Sequence, residues 1–194
     1  MLTNFKKHID KFVQVSNDEF DEIQEFFDIK NVAKKENLLE EGQVCRHHYF
    51  VLDGLLRKFY INEKGIEQTT EFAIETWWMA DYESYNSGNP SKNNIDALED
   101  TELIMIKKND FDAVVKAIPN FRSLKEKLET RSYDASQNRI LSNISDTAEK
   151  RYENFIKKYP DIYNRVPLHM IASYLGLTRE TLSRIRSNYA KPEK

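Results

Sequence analysis

The segment from Pro167 to Arg186 constrains the fold of this chain more than any other stretch. Its apolar residues fall at Leu168, Ile171, Leu175, Leu177, Leu182 and Ile185, with Ala172 and Gly176 between them. That spacing makes two short amphipathic helices. Ala172 is small where the two must cross, Gly176 supplies a turn through positive φ, and the Thr178 hydroxyl is placed to cap the second helix. The pattern predicts a helix-turn-helix.

At about 100° per residue, Thr181, Leu182, Ile185 and Tyr189 share one side of the second helix and are expected to pack inward. Arg179, Glu180, Ser183, Arg184 and Ser187 gather on the other side. Base edges are read by this chemistry: arginine forks for guanine, a carboxylate for cytosine N4, short hydroxyls for either. The sequence therefore predicts a recognition helix over 179–189, with Thr178, Arg179, Glu180, Ser183, Arg184 and Arg186 on double-stranded DNA. The plainer alternative is a helical hairpin with a solvated charged face.

The net charge of −3 argues weakly against nucleic acid, but it averages two unlike parts. From Asp146 onward there are ten Lys and Arg against six Asp and Glu, and the remainder carries 19 against 26. A basic C-terminal module on an acidic body suits a DNA reader joined to another domain. With 40% hydrophobic residues, 194 residues suffice for one generous domain and a small one. No apolar run approaches the ~20 residues of a membrane span, and the N-terminus lacks a secretory apolar core. A cytoplasmic protein with no membrane partner is expected. The single cysteine, Cys45, rules out an internal disulfide and a four-cysteine iron–sulfur cluster.

Residues 1 to about 29 read as helical, with Phe5, Ile9, Phe12 and Val13 as one stripe and Phe20, Ile23, Phe26 and Phe27 as another. Ser16 and Glu19 form a capping box between them. The period then shortens to two. A strand ends at Leu38–Leu39 before the turn at Gly42. Tyr49–Leu52 and Leu55–Ile61 read as a hairpin about Asp53–Gly54, Asn62–Gly65 turns into a strand from Ile66 to Ile74, and the last strands lie within Ile95–Ile106. Short strands without long intervening helices predict an antiparallel jelly-roll or small barrel. Trp77 to Asn94 breaks this rhythm as an aromatic, then polar, loop. It is either a ligand-binding excursion or a surface cap on the barrel. From Phe111 to Asn143 there is no glycine, and Phe121, Leu124, Leu128, Ala135 and Ile140 give an interrupted apolar stripe on a long helix. It either packs on the barrel alone or forms a dimer, which would give the helix-turn-helix two-fold half-site spacing.

An N-terminal helix pair, a β-roll, a long helix and a C-terminal helix-turn-helix, in that order, resemble the Crp/Fnr family of bacterial transcription regulators. Gly176 to Ile185 looks like the family's recognition helix, which by resemblance makes Arg179, Glu180 and Arg184 base-reading residues. Glu40–Gly42 and Phe50–Gly54 look like its early β-roll motifs. The fold implied is α+β: N-terminal helices with an antiparallel β-roll sensor over 1–117, a long dimer or linker helix over 118–144, and an all-α helix-turn-helix domain over 145–194. The resemblance implies a homodimer on a near-palindromic site, with RNA polymerase as a further partner it leaves open. The sequence stops at Lys194, so the family's β-hairpin wing is expected to be absent, with Arg186, Lys191 and Lys194 available for phosphates.

Cyclic-nucleotide-binding members carry a Phe-Gly-Glu segment and an Arg-Ser/Thr-Ala segment. Here these fall on Met79–Ala80–Asp81 and near Pro90–Asn94, without the arginine. One Lys92 is a poorer holder of a cyclic phosphate than a guanidinium fork, so no cofactor is assigned and cyclic AMP is not expected. Another small effector would meet Asp81, Tyr82, Ser91, Lys92, Asn93 and Asn94. Two further classes stay open. A metal-dependent cupin-like enzyme would need His47 and His48, yet neighbours on a strand point to opposite faces. A β-roll with a C-terminal protein-interaction module would leave the Arg179–Glu180–Arg184 face unexplained. Cys45 beside Arg46 is either a plain thiol or an oxidant sensor with a lowered pKa. No nucleophile triad or phosphate loop marks an enzyme.

Overall fold

The computed structural model describes residues 2–160 and 162–189. Two compact units are distinguished, residues 1–58 with 72–133, and residues 59–71 with 134–194.

The first unit opens with α1 (Leu2–Ile9) and α2 (Asn17–Ile23), which runs on into a 3-10 turn at Gln24–Phe26. Ser16 caps α2 as a full capping box, its hydroxyl accepting from Glu19 N–H while Glu19 accepts from Ser16 N–H at 2.8 Å. Helix is less extensive than the apolar stripes suggested: Phe12 and Val13 pack from the turn after Ile9, and a strand begins at Asp28. The strands are β1 (Asp28–Val32), β2 (Asn37–Leu39), β3 (His47–Asp53), β4 (Leu56–Ile61), β5 (Glu67–Ala73), β6 (Trp78–Met79), β7 (Asn94–Ala97) and β8 (Thr101–Lys107). They form two four-stranded sheets, ordered β1-β8-β3-β6 and β2-β7-β4-β5.

β3 and β4 lie in different sheets, so Asp53–Gly54 is a corner and not the hairpin expected from sequence. Gly54 has φ +108°, and a Cβ there would lie 2.7 Å from Thr101 Cα. Leu55 N–H donates to Thr101 Oγ1 at 3.2 Å, closing the corner. An Asp-Gly pair gives a positive-φ turn in either arrangement, and side-chain alternation does not say which sheet the next strand joins. The true hairpin is β4–β5, around Asn62–Gly65.

Between the sheets, Val32, Leu39, Tyr49, Val51, Leu56, Ile95, Ala97 and Leu103 form one core. On the outer face of the first sheet, Phe50, Trp78, Ile104 and Ile106 pack on Phe5, Ile9, Phe20 and Ile23. The stretch from Trp77 to Asn94 is a loop only in its polar second part, residues 88–93. It forms β6 and then α3 (Tyr82–Ser87), ended by Gly88 in the left-handed region. Trp78 and Tyr85 are buried, and a helix of six residues is too short for periodicity to reveal. After β8 come α4 (Lys108–Ala117) and α5 (Phe121–Ser145), separated where Pro119 breaks the helix.

The second unit holds α6 (Ala148–Lys158), a 3-10 turn at Ile162–Asn164, α7 (Leu168–Leu175) and α8 (Arg179–Tyr189). Thr147 caps α6 by accepting from Lys150 N–H at 3.2 Å. Tyr152, Phe155, Tyr159, Ile171, Ala172, Leu175, Leu182 and Ile185 are buried. Each such side chain removed from water contributes about 1.5–3 kcal/mol for the larger residues.

Candidate functional site

The turn between α7 and α8 is built as its residues require. Gly176 sits at φ +64°, and Leu177 N–H reaches back to Ala172 C=O at 2.9 Å, closing the end of α7. Thr178 Oγ1 accepts Thr181 N–H at 3.1 Å and so caps α8. Leu182 is 0% and Ile185 2% exposed, while Arg179, Glu180, Ser183, Arg184 and Ser187 are all exposed. The helix thus divides as the wheel predicted, with one correction. Tyr189 is 44% exposed, though its ring still meets Tyr152 at 5.2 Å and its hydroxyl bonds Glu153. Arg186 lies over the Tyr163 ring at 5.1 Å, a cation–π contact that ties it to this unit. Lys191 and Lys194 lie outside the described residues.

In the roll, the acid at position 81 is already engaged. Asp81 is buried and accepts from Ser91 Oγ and, at 3.1 Å, from Asn93 Nδ2. Ser91 Oγ also accepts Asn93 N–H at 2.9 Å, and Asn94 Oδ1 accepts Glu41 N–H at 3.0 Å. Tyr82 is half-buried and Lys92 exposed. The structure therefore brings Asp81, Ser91 and Asn93 together and leaves Lys92 outside that cluster. Lys58 was missed from the sequence. Its Nζ donates to Ala80 C=O at 3.1 Å, beside Asp81 in the chain. The signal was available, since Arg57–Lys58 interrupts an otherwise apolar strand. Arg57 is buried and forks onto Asp96, with Nε–Oδ1 at 3.0 Å and Nη2–Oδ2 at 2.6 Å. A cleft of about 650 Å³ opens elsewhere, lined by Cys45, Arg46, His47, Tyr85, Lys107 and Lys108 among others.

Phe121, Leu124 and Leu128 do not face a partner. They are buried in the chain's own core with Phe5 and Ile118, while Ala135 is exposed. A helix carrying two apolar stripes gives no hint from sequence as to which is covered within the chain. Its exposed apolar residues are Tyr133, Ile140, Leu141 and Ile144.

Histidines 47 and 48 lie on opposite faces, half-buried and fully buried respectively. His48 stacks on Tyr85 at 4.1 Å, and burial, aided by Lys125, lowers its pKa to about 3. His8 has both ring nitrogens buried, whereas His169 is exposed. Burial raises the Cys45 thiol above its usual range, which removes the basis for a low-pKa oxidant sensor. Among the described residues, no three His, Cys, Asp or Glu side chains converge as a metal site.

Residues 29–117 match the cyclic nucleotide-binding domain family. Over 174 residues the chain is 27% identical to the fumarate and nitrate reduction regulatory protein of Escherichia coli, covering 84% of this chain and 68% of that protein. Its fold matches FixK2 from Bradyrhizobium japonicum with a TM-score of 0.73 at 19% identity, over 84% of this chain and 83% of that one. A transcriptional regulator of the crp/fnr family from Eubacterium rectale matches with a TM-score of 0.68 at 18% identity, over 90% and 83%. The chain thus carries a cyclic nucleotide-binding domain and is similar over most of its length to regulators, one of them of the crp/fnr family. The relatives it matches are regulators. An iron–sulfur cluster takes four cysteine thiolates, and the one buried cysteine here does not fit it. No helix among the described residues is long and apolar enough to cross a membrane.

Proposed function

We propose that this protein is a transcription regulator of the Crp/Fnr type that reads a near-palindromic duplex as a homodimer, with α8 in the major groove and Arg179, Glu180, Ser183 and Arg184 on base edges. The observation that carries this is the division of α8: a capped helix whose Leu182 and Ile185 are buried and whose exposed side holds two arginines, a carboxylate and hydroxyls. Thr178 and Arg186, at the flanks of that face, take phosphates. The dimer face is the exposed stripe Tyr133, Ile140 and Ile144 on α5, spaced by seven and four residues as a two-helix seam requires.

Labour divides along the chain, with sensing in residues 1–117, relay in 118–144 and DNA reading in 145–194. The roll's effector is a small polar molecule that engages the Asp81–Ser91–Asn93 cluster. A cyclic nucleotide is disfavoured because Asp81 is held by two side chains and the buried Arg57 is spent on Asp96. The test is selection from a random duplex pool at two salt concentrations. Enrichment of a two-fold site whose affinity falls steeply with salt supports the reading; recovery of no preferred sequence defeats it.

A further inference from the structure

We propose that the β4–β5 hairpin is a positioning clamp for the helix-turn-helix, holding α7 through Ser173 and Arg139 so that α8 meets DNA already oriented; this rests on the DNA-reading function proposed above. The sheet order puts β5 at an edge. An edge strand leaves one row of N–H and C=O groups that must find partners elsewhere. Thr69 N–H and Glu67 C=O belong to that row, two residues apart on the same side of the strand. Thr69 N–H donates to Ser173 Oγ at 2.9 Å, and Ser173 Oγ donates to Glu67 C=O at 3.2 Å. One hydroxyl, accepting and donating at once, stands where a neighbouring strand would pair.

A second tie lies beside the first. Arg139 of α5 donates to Thr70 C=O at 2.5 Å, and its guanidinium lies 5.4 Å from the Tyr174 ring centroid. Ser173 and Tyr174 are adjacent on the last turn of α7, just before Gly176. Both ties therefore act on the first helix of the motif, next to the turn that aims the second. Neither touches Arg179, Glu180, Ser183 or Arg184, whose face stays uncovered. All the groups involved belong to one compact unit, 59–71 with 134–194. A motif held this way avoids paying orientational entropy when it binds.

The experiment compares the full-length protein with Ser173→Ala, Ser173→Thr and Arg139→Met on the duplex selected by the parent. Ser173→Ala is expected to weaken binding about tenfold, the effect of one or two hydrogen bonds of ordinary net strength. The slope of log affinity against log salt should not change, because no phosphate contact is lost. Amide exchange at Thr69 should quicken, Ser173→Thr should restore both readouts, and Arg139→Met should weaken binding similarly. Unchanged or tighter binding by Ser173→Ala overturns the clamp, as does a loss accompanied by a shallower salt slope. A parent that selects no duplex defeats the DNA-reading function instead. The clamp is then judged by exchange, and unaltered Thr69 protection in Ser173→Ala overturns it.

Discussion

The backbone N–H of Leu55 donates to the Thr101 hydroxyl at 3.2 Å, and the corner closed by this bond leaves no room for a side chain at Gly54. Gly54→Ala combines a left-handed φ with displacement of Thr101, and is expected to destabilise the first unit by about 2–4 kcal/mol. Gly88 also has positive φ but faces open space, so Gly88→Ala should cost only the backbone term, about 1–2 kcal/mol. Urea unfolding of both variants checks the contrast. Equal losses would mean that the corner relaxes and that its tightness has no energetic weight.

Arg57 and Asp96 form a bidentate pair that is almost wholly buried, with side-chain exposures of 4% and 11%. Arg57→Met should strand the Asp96 carboxylate and cost about 3–5 kcal/mol, whereas Arg57→Met with Asp96→Leu should recover most of the loss. Thermal or urea unfolding decides it. A double variant no more stable than the single one would show that the pair does more than neutralise its own charge.

What was legible in the sequence follows from how local each signal is. The Ser16–Glu19 capping box, the Gly176 turn and the Thr178 cap were readable because their bonds span three to five residues. The two faces of α8 were readable because helical period alone separates them. The corner at Gly54 was not, since its partner Thr101 is 46 residues away. Which stripe of α5 is covered was also hidden, because Phe121, Leu124 and Leu128 look as apolar as Ile140 and Ile144 until the N-terminal helices are packed. In the roll, position 81 was found through family resemblance, but its engagement by Ser91 and Asn93 depends on chain reversal through α3. Lys58 was marked only by the charged pair it makes with Arg57 in an apolar strand, and Ser173 by nothing; each acts on a main-chain group brought to it by the fold.

His48 is buried as the neutral imidazole, its two ring nitrogens unpartnered and its pKa lowered to about 3. The unfolded chain titrates near 6.5. Because the folded value is the lower one, stability is intact above pH 6.5 and is lost as pH falls from there toward 3, by roughly 1.4 kcal/mol per unit. His48→Phe removes this titration, so stability measured at pH 7 and pH 4.5 should fall less for the variant than for the parent. His8, with its pKa lowered to about 4, contributes in both. Parallel losses would show that His48 is not the acid-sensitive group.

Ile144 is 79% exposed on α5, and Ile140 lies one turn before it on the same stripe. Ile140→Glu with Ile144→Glu should convert a dimer to a monomer in sedimentation analysis while leaving the unfolding midpoint of the first unit unchanged. Leu124→Ala, on the buried stripe, should do the reverse: it keeps the oligomeric state and costs about 2–5 kcal/mol of stability. A dimer that survives both glutamates places the interface elsewhere.

Arg184 and Arg186 are two residues apart on α8 but meet different surroundings. Arg184 is exposed on the face shared with Glu180 and Ser183, whereas Arg186 lies against Tyr163. Arg184→Ala should therefore cost about 1–3 kcal/mol on the preferred site and relax the choice at one base pair of each half-site. Arg186→Ala should weaken all duplexes about equally and reduce the salt slope by roughly one. Competition assays with single-base-pair variants, run at two salt concentrations, separate these outcomes. If Arg184→Ala instead lowers affinity uniformly, that arginine binds phosphate, and the base-reading assignment on this face passes to Arg179 and Glu180.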